Sequence, residues 1–253
     1  MASYLVTGGS SGLGLELVKI LVECFEEKDV FQVIATVGKE SEFLRDLRRK
    51  HESRLFVLQM CATDENSIKE AVKKVQAITN NGLDILINNA GVMSNTTTDV
   101  TQMTDLVSTF CANVNSVHLV TTAFLPLLRN GKSKKVLNIS SAMGSIGLAQ
   151  KYIGYPKPAY KISKAALNML TRQYALDPGL HQEGFTFLAV NPGYLQTVGT
   201  TGSELSLETG AKGVLDVLHS ASAKDNGCFF NINVPTWKPQ PGQNEYKGGQ
   251  LPW

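Results

Sequence analysis

Tyr160 and Lys164 lie four residues apart in the stretch GYPKPAYKISK, residues 154–164, and this spacing suits acid–base chemistry. Residues i and i+4 of a helix share a face. A lysine ammonium held near a phenol favours the phenolate and lowers a pKa that is otherwise about 10. Such a tyrosine can pass a proton to or from a carbonyl oxygen near neutral pH. A lone YxxxK pair is common on ordinary helix surfaces, so this interpretation depends on other residues.

Three polar segments end strand-like runs elsewhere in the chain. NISSAMG places Ser140 and Ser141 at the end of one run, NNAG (residues 88–91) ends a second, and NPGYLQT (residues 191–197) ends a third. In open α/β sheets, ligands bind at the carboxyl ends of the strands. The sequence therefore predicts that these segments meet at the ligand-binding edge of one sheet.

A glycine-rich turn, TGGSSGLG at residues 7–14, follows the first strand-like run. Glycines at Gly8, Gly12 and Gly14 let the backbone turn tightly and approach a ligand closely. The N–H groups at the start of the next helix then suit a pyrophosphate. Glycines that only pack a strand against a helix are the alternative. The place of the turn, between the first strand and the first helix, favours dinucleotide binding.

The end of the second strand-like run bears on the choice between NAD and NADP. An acid there would hold the 2′-hydroxyl of NAD, and a base would hold the 2′-phosphate of NADP. Residues 36–39 read TVGK, without an acid. Lys39 could hold a phosphate, helped by the hydroxyls of Ser10, Ser11 and Thr36; alternatively, Lys39 only begins the charged helix that follows. We expect a weak preference for NADP(H) over NAD(H).

The elements that must position these groups alternate between strand-like and helical patterns. Seven short apolar runs separated by helical stretches predict an α/β fold with a seven-stranded parallel sheet covered by helices on both faces. No Ser/Gly or Pro linker divides residues 1–253, which predicts one domain. The strand-like runs are 3–7, 31–36, 55–60, 83–91, 135–141, 185–193 and 227–233, with turns ending the fourth and sixth. The predicted helices are 13–24, 40–50, 64–78, 104–128, 159–176 and 208–220.

Composition restricts the class of partner. The formal charge is +2, from 24 basic and 22 acidic residues, which predicts no attraction to nucleic acid or anionic membranes. No apolar run approaches the roughly 20 residues of a membrane span. The start, MASYLVTGG, is typical of a strand rather than a signal peptide. We therefore expect a cytoplasmic protein.

The cysteines have no spacing typical of a metal site. They are far apart, without a CxxC pair or a histidine nearby, and they are Cys24, Cys61, Cys111 and Cys228. We expect them to be reduced and mostly buried, as small apolar residues of a cytosolic protein. No metal is predicted.

The motifs TGxxxGxG, NNAG, NxSS, YxxxK and NPG occur in this order over the whole chain, which resembles the short-chain dehydrogenase/reductase family. The resemblance implies a single-domain Rossmann fold, doubly wound, and a nicotinamide cofactor. By position, the active tyrosine and lysine of that family fall on Tyr160 and Lys164, and its serine falls on Ser141. Its helix asparagine falls on Asn113, with Asn115 as the alternative.

The resemblance also implies a reaction. Tyr160 would protonate the developing alkoxide of a ketone or aldehyde, and Ser141 would hold the same oxygen. Lys164 would lower the tyrosine pKa and contact the nicotinamide ribose, and Asn113 would help hold a water. Two alternatives stay open: another reaction on a complex metabolite, such as an isomerase, cyclase or dehydratase step, and a nicotinamide-binding regulatory protein with little turnover.

Motifs and resemblance together give two sets of predicted contacts. The predicted cofactor contacts are Gly8, Ser10, Ser11, Gly12, Leu13, Gly14, Thr36, Lys39, Asn89, Ala90, Gly91, Tyr160, Lys164, Pro192, Gly193, Leu195 and Thr197. The predicted lining of a fairly apolar pocket for a small carbonyl substrate is Met143, Leu148, Tyr152, Tyr155 and Tyr194. Substrate loops are expected at about 146–158 and 193–207, followed by a C-terminal tail loop at 235–253. Similar proteins form homodimers or homotetramers, which is possible here.

Within the family, the chain is most similar to Sniffer-type carbonyl reductases, C-factor proteins and fungal norsolorinic-acid-type ketoreductases. It departs from them at the cofactor. Many of these relatives carry arginines where this chain has Ser11 and Gly38, and Cys61 replaces the usual adenine-binding aspartate. These departures weaken the expected preference for NADP.

Overall fold

A seven-stranded parallel sheet in the order β3-β2-β1-β4-β5-β6-β7 forms the centre of the fold. The structure is a computed structural model that describes residues 2–26, 29–96, 99–196, 202–240 and 242–253. The strands are β1 (Ala2–Thr7), β2 (Val30–Val37), β3 (Leu55–Gln59), β4 (Ile85–Asn88), β5 (Lys135–Ile139), β6 (Thr186–Asn191) and β7 (Phe229–Asn231). Every neighbouring pair is parallel. The predicted seven-stranded parallel sheet is confirmed.

Helices cover both faces of this sheet. They are α1 (Gly12–Glu23), α2 (Glu42–Lys50), α3 (Glu65–Ile78), α4 (Leu106–Phe110), α5 (Ser116–Asn130), α6 (Pro158–Leu176), α7 (Pro178–Gln182) and α8 (Leu207–Ser220). Apolar residues of α1, α2 and α8 pack in one core, and those of α3, α5 and α6 pack in the other. Strand residues alternate between the cores, so Tyr4 and Val6 face the first while Leu5 faces the second.

The predicted helices agree with the structure to within a few residues at their ends. Asp64 caps α3 as expected, because its carboxylate accepts the Ser67 N–H at 2.8 Å. The stretch predicted as one helix over residues 104–128 is α4 and α5 joined by a π-helical turn at Cys111–Asn115. Turns of this kind often occur at functional sites. The short helix α7 and several 3₁₀ turns have no counterpart in the prediction.

One helix among the described residues has the length and composition of a membrane span. It is the continuous stretch Leu106–Asn130, with a mean hydropathy of 1.3 and half of its apolar window buried inside the protein. Phe124, Leu127 and Leu128 of this stretch belong to the core formed with α3 and α6. The stretch is therefore apolar because it is a core helix of this fold.

The expectation of mostly buried cysteines is wrong. Cys24, Cys61 and Cys111 are exposed and Cys228 is half-buried, all as free thiols. Cys24 and Cys61 lie just beyond the ends of α1 and β3, and Cys111 lies in the π-helical turn. Cys24 and Cys61 lack neighbouring elements that would cover them, and Cys111 lies on the exposed side of its helical turn.

The C-terminal tail runs beside β7 instead of extending away from the sheet. Isolated antiparallel bridges pair Phe230 with Gln250 and Asn233 with Lys247. The ring of Trp253 stacks on Phe229 with 5.7 Å between ring centroids. The tail thereby covers the edge of the last strand, which would otherwise present unpaired backbone groups.

Candidate active site

The glycine turn after β1 has the backbone that only glycine adopts easily. Gly8 and Gly12 have φ angles of +70° and +54°. A Cβ atom added to Gly14 would lie 2.3 Å from the Gly8 carbonyl oxygen and 2.4 Å from the Asn89 amide nitrogen. The start of α1 therefore packs directly on the turn. Gly14 packs on the turn backbone and the NNAG segment, where any larger residue would push them apart.

Thr7 and Asn89 connect the glycine turn to the NNAG segment. The Thr7 hydroxyl accepts the N–H groups of Asn89 and Ala90, both at 3.0 Å. The Asn89 amide donates to the Thr7 carbonyl at 2.8 Å. Two segments more than 80 residues apart in sequence are thus held side by side at one edge of the sheet. Thr7 belongs to the glycine motif, but nothing in the motif predicts its bridging hydroxyl.

The turn offers donors for a phosphate. Ser11 is the exposed N-cap of α1, and its side chain makes no capping hydrogen bond. The first N–H groups of a helix have no partner within the helix. Ser10 is half-buried beside them, and Leu13 is buried in the core. This arrangement suits the pyrophosphate of a dinucleotide.

The end of β2 is more open than the turn. Lys39 is exposed, and a Cβ added to Gly38 would meet nothing within 4 Å. Thr36 is only 1% exposed, and its carbonyl accepts the N–H groups of Gly8 and Gly9. The nearby Glu40 carboxylate is engaged by the Arg48 guanidinium at 3.1 Å. A ribose at this edge would therefore meet Lys39 and open space, while Thr36 supports the turn from below.

Cys61, which replaces the expected adenine-binding aspartate, lies just beyond β3 with its thiol 3.4 Å from the Thr63 hydroxyl. Hydrogen bonds from Thr63 lower the pKa of this thiol. The backbone N–H of Cys61 donates to the Ser67 hydroxyl at 2.9 Å. The backbone position is fixed, although the side chain is exposed.

Asn113 lies in the π-helical turn and is 1% exposed. Its Oδ1 accepts the Val92 N–H at 2.7 Å, and its Nδ2 donates to the Val92 carbonyl at 2.9 Å and the Ser163 hydroxyl at 3.0 Å. A Cβ added to Gly91 would lie 3.0 Å from Asn113 Oδ1 and 3.8 Å from Lys164 Nζ. The structure brings Asn113, rather than the exposed Asn115, next to Lys164.

Ser141, Tyr160 and Lys164 meet where β5 ends against α6. The Ser141 hydroxyl accepts the Met143 N–H at 3.2 Å, and Ser141 is near enough to the Tyr160 phenol to act on its pKa. The Lys164 ammonium donates to the Ile139 carbonyl at 2.8 Å and lies 5.6 Å from the centre of the Tyr160 ring. Ser140, the neighbour of Ser141, is turned away and donates to Asn168 at 2.6 Å. Tyr160 and Lys164, four residues apart in sequence, therefore do lie side by side in the structure.

Burial opposes the charged forms of both members of this pair. It lowers the pKa of Lys164 to about 8. It also raises the pKa of Tyr160, although the nearby Ser141 side chain acts in the opposite direction. We expected Lys164 to lower the tyrosine pKa; in this geometry desolvation of the phenol is the largest influence and raises it. Tyr160 is therefore protonated at neutral pH.

A buried polar network beneath the site links four elements. Asn88 of β4 donates to the Thr121 hydroxyl of α5 at 3.0 Å and to Asn138 of β5 at 2.9 Å. Asn138 in turn donates to the Thr171 hydroxyl of α6 at 2.8 Å. Satisfied buried networks rigidify what they connect. The sequence motifs name Asn88 and Asn138, but nothing in their pattern predicts the partners on the helices.

The NPG segment follows β6 at the same edge. Asn191 accepts the Ala142 N–H at 3.0 Å, which fixes the start of the turn after Ser141. Gly193 has a φ of +91°. A Cβ there would lie 2.8 Å from the Leu205 side chain. Pro192 and Leu195 are buried, and Thr197 lies outside the described residues.

A cavity of about 200 Å³ opens above Tyr160 and Ser141. Four of the five predicted substrate contacts line it: Met143, Tyr152, Tyr155 and Tyr194. Tyr155 packs edge-on against both other tyrosines, with ring centroids 6.1 and 6.4 Å apart. Leu148 does not line this cavity; it lines a neighbouring one beside the C-terminal tail. Its N–H donates to Ser145, which turns residue 148 toward the tail.

Five further residues of the cavity wall were not predicted as contacts: Met93, Ala142, Asn191, Asn244 and Tyr246. Ala142 and Asn191 belong to segments that the motifs already name. Met93 follows the NNAG motif by two residues, which could have indicated it. Asn244 and Tyr246 belong to the tail, where no motif or periodicity marks a return to the site. Among the described residues, no group of three His, Cys, Asp or Glu side chains is arranged to hold a metal ion.

Comparisons with known proteins agree with this geometry. Residues 3–206 match the family model described as short chain dehydrogenase. The chain is 35% identical over 215 residues to the short-chain dehydrogenase/reductase AacuF of Aspergillus aculeatus, covering 81% of this chain and 78% of the relative. It is 34% identical over 174 residues to C-signal of Myxococcus xanthus, covering 68% of this chain and 93% of the relative.

Two solved structures are similar over the whole chain. The NADPH-bound carbonyl reductase from chicken fatty liver has a TM-score of 0.84 and 30% identity, covering 100% of this chain and 94% of that one. Carbonyl reductase Sniffer of D. melanogaster has a TM-score of 0.84 and 25% identity, covering 100% of both chains.

Proposed function

Because this chain belongs to the short-chain dehydrogenase/reductase family, we propose that it is a carbonyl reductase, with Tyr160 as the general acid. The family membership makes it an NAD(P)-dependent oxidoreductase. The observation that carries the finer proposal is that Ser141 and Tyr160 line the same cavity, with the buried ammonium of Lys164 at 5.6 Å from the centre of the Tyr160 ring.

The residues present fit a nicotinamide dinucleotide. The positive φ angles of Gly8 and Gly12 and the uncapped start of α1 support a pyrophosphate at the turn. The segment Asn89–Gly91 lies between that turn and Lys164, where a nicotinamide ribose would be held. When bound, the nicotinamide supplies or accepts the hydride.

The chain's own residues would handle the proton and the substrate oxygen. Ser141 and Tyr160 both line the cavity, so their hydroxyls can contact one carbonyl oxygen. Burial raises the pKa of Tyr160, which keeps the phenol protonated and able to donate. Reduction needs a proton donor, whereas alcohol oxidation needs a phenolate. A protonated Tyr160 is thus the form that carbonyl reduction requires.

Asn113 would act as a positioning residue in this proposal. Its hydrogen bonds to both backbone groups of Val92 and to Ser163 tie the segment after NNAG to α6, next to Lys164. The predicted role in holding a water stays a prediction.

The substrate we propose is a small, fairly apolar carbonyl compound. The tyrosines Tyr152, Tyr155 and Tyr194 and the methionines Met93 and Met143 give the cavity a mostly apolar wall. Aromatic rings arranged edge-on favour contacts with flat apolar groups. An aromatic ketone or aldehyde would satisfy this wall while its oxygen meets the two hydroxyls.

For the cofactor we propose a modest preference for NADPH. Lys39 is the exposed cation at the end of β2, and the Glu40 carboxylate is paired with Arg48. An exposed contact between a charge and a phosphate is worth roughly 1 kcal/mol, or several-fold in affinity. A cytoplasmic location and a homodimer or homotetramer stay predictions.

The test is cofactor oxidation with a panel of aromatic and aliphatic carbonyl compounds, together with identification of the product. We expect one alcohol for each NADPH oxidised. Cofactor binding without turnover would favour the regulatory alternative. A product other than an alcohol, formed without net oxidation of the cofactor, would favour an isomerase or dehydratase.

A further inference from the structure

A second cavity lies directly behind the substrate cavity. It measures about 240 Å³ and is lined mainly by the loop before α6, including Leu148 and Lys151, and by the C-terminal tail, including Glu245 and Lys247. Four of its lining residues also line the substrate cavity: Ala142, Tyr152, Asn191 and Asn244. Residues that face both spaces form their common wall.

Two residues of the common wall, Tyr152 and Asn244, are joined by a hydrogen bond between their side chains. The Tyr152 hydroxyl donates to Asn244 Oδ1 at 2.8 Å. Tyr152 is 6% exposed, and burial together with the Glu204 charge raises its pKa to about 12. The hydroxyl is therefore protonated at neutral pH and can donate this bond. The bond joins the loop before α6 to the C-terminal tail.

The Glu204 carboxylate holds the tail side of this wall. It accepts the Asn244 backbone N–H at 3.0 Å and the Asn244 side-chain amide at 3.2 and 3.3 Å. The Trp237 indole donates to the Asn244 carbonyl at 2.9 Å. Asn244 is thus fixed at its N–H, its carbonyl and its side chain.

The same carboxylate reaches the wall on the other side of the substrate cavity. Tyr246 donates its hydroxyl to Glu204, and that hydroxyl accepts the Tyr194 N–H at 2.9 Å. Hydrogen bonds to a charged acceptor are stronger than those between neutral groups. Glu204 therefore sets the positions of Asn244, Tyr246 and Tyr194, all of which line the substrate cavity.

We propose that the Tyr152–Asn244 hydrogen bond, held in place by Glu204, closes the back of the substrate cavity and limits the size of the carbonyl compound it accepts. This inference rests on the proposed function. Tyr152 and Asn244 are then residues that determine specificity, and Glu204 is a positioning residue. Opening the wall would join the two cavities and admit a longer ring system.

The first experiment compares two carbonyl compounds of different size. For 4-nitrobenzaldehyde and the tricyclic phenanthrenequinone, kcat/KM is measured in wild type, Asn244→Ala and Tyr152→Phe. We expect Asn244→Ala to shift the ratio toward the tricyclic compound by about 10-fold, the usual scale of a pocket contact. Tyr152→Phe, which keeps the ring, should shift the ratio less in the same direction.

Gln243→Ala is the matched control. It truncates an amide of the same tail, one residue earlier, that lines neither cavity. The ratio should match wild type in this variant. A ratio that stays unchanged in both Asn244→Ala and Tyr152→Phe would overturn the proposal, as would an equal shift in Gln243→Ala.

Glu204→Gln tests the positioning role. The variant keeps the size of the side chain but loses the charge that gathers the donors of Asn244 and Tyr246. We expect the same shift in the size ratio, carried by KM more than by kcat, and a partial return in Glu204→Asp. A general loss of activity toward both compounds, without a change of ratio, would remove Glu204 from the proposal.

A binding measurement separates this inference from the proposed function. In a Trp253→Phe background, Trp237 is the remaining tryptophan of the two, and it lies against Tyr246 with 5.9 Å between ring centroids. Quenching of its fluorescence reports the binding of phenanthrenequinone without turnover. Tighter binding in Asn244→Ala would support the role of the wall, whether or not the wild-type protein reduces either compound. Failure of the wild type to reduce both compounds would reject only the proposed function. Equal or weaker binding would overturn the wall.

Discussion

The two ends of the predicted cofactor cleft are built differently. At the catalytic end, defined by Asn113, Ser141, Tyr160 and Lys164, the side chains of Asn113, Ser141 and Lys164 are hydrogen-bonded to the backbone, and Asn113 and Lys164 are almost fully buried. At the adenosine end, defined by Gly38, Lys39 and Cys61, the residues are exposed. The hydrogen-bonded residues of the catalytic end hold reacting groups in position, whereas the exposed residues of the adenosine end can act on a cofactor mainly through their charge. We therefore expect the effects of substitutions to fall from the glycine turn and the catalytic end toward the adenosine end.

The glycine turn should be the least tolerant position. Gly14→Ala adds a Cβ that would lie 2.3 Å from the Gly8 carbonyl oxygen and 2.4 Å from the Asn89 amide. The turn backbone must move, so we expect cofactor binding to be lost. Titration of NADPH by fluorescence, on protein whose folding is checked by circular dichroism, measures this.

Gly154→Ala is the control, because a Cβ there meets nothing within 4 Å. It should bind the cofactor like wild type. A Gly14→Ala protein with wild-type affinity would show that the turn has room to spare, and that the catalytic end is the less tolerant of the two.

At the catalytic end, Tyr160→Phe removes the hydroxyl and keeps the ring. We expect kcat to fall by about 10²–10⁴, the usual contribution of a general acid, with cofactor affinity unchanged. Tyr155→Phe should lose far less, because Tyr155 stands at the cavity mouth with 40% of its surface exposed. Steady-state kinetics on both variants check the assignment. Turnover like wild type in Tyr160→Phe would reject it.

Lys164→Met tests whether the burial of the Lys164 ammonium lowers the free energy of unfolding. Wild-type Lys164 has a pKa of about 8, below its ordinary value of 10.5, because it is buried. Between these two pH values the unfolded chain binds more protons than the folded one, so the free energy of unfolding rises with pH. Methionine lacks this dependence. Lys164→Met should therefore be more stable than wild type at pH 7, and this advantage should shrink toward pH 10.

At neutral pH, removal of the buried charge should raise the free energy of unfolding by at most about 3 kcal/mol. The lost hydrogen bond to the Ile139 carbonyl reduces this gain by about 1 kcal/mol. Urea unfolding at both pH values measures it, with the exposed Lys50→Met as the control. A stability difference that does not change with pH would mean that Lys164 is not desolvated as described. Activity should be lost in Lys164→Met under all conditions.

The sequence predicted the parts of the molecule that depend on local pattern. Apolar periodicity gave the seven strands and the covering helices, and the YxxxK spacing predicted a face that Tyr160 and Lys164 do share. It could not predict the direction of the Tyr160 pKa, because desolvation depends on everything packed around the phenol. It also missed Asn244 and Tyr246, since a tail that folds back over β7 leaves no periodic trace.

The adenosine end should respond to charge alone. Val37, the last residue of β2, is not a suitable place for an acid, because it is 3% exposed and an aspartate there would be buried in the core. Gly38 is the suitable position, because a side chain meets nothing there and its φ is not in the left-handed region. Gly38→Asp should repel a 2′-phosphate and hold the 2′-hydroxyl of NADH, which reverses the cofactor preference. The ratio of kcat/KM for the two cofactors measures this, with Gly38→Ala as the uncharged control; a ratio equal to that of wild type would place the ribose elsewhere.

Lys39→Ala should give the smallest effect. Lys39 is exposed, so its attraction to a 2′-phosphate is screened by solvent and is worth roughly 1 kcal/mol, or several-fold in the ratio of kcat/KM for NADPH over NADH. The loss should be greatest at low salt and fade as ionic strength rises, because exposed charges are screened. Lys50→Ala, which removes an exposed lysine at the far end of α2, should leave the ratio unchanged. If Lys39→Ala also leaves it unchanged at low salt, the hydroxyls of Ser10 and Ser11 in the glycine turn become the candidates for reading the ribose. The adenosine end would then differ from the catalytic end in the exposure of its residues, and the charge of Lys39 would play no part in the choice of cofactor.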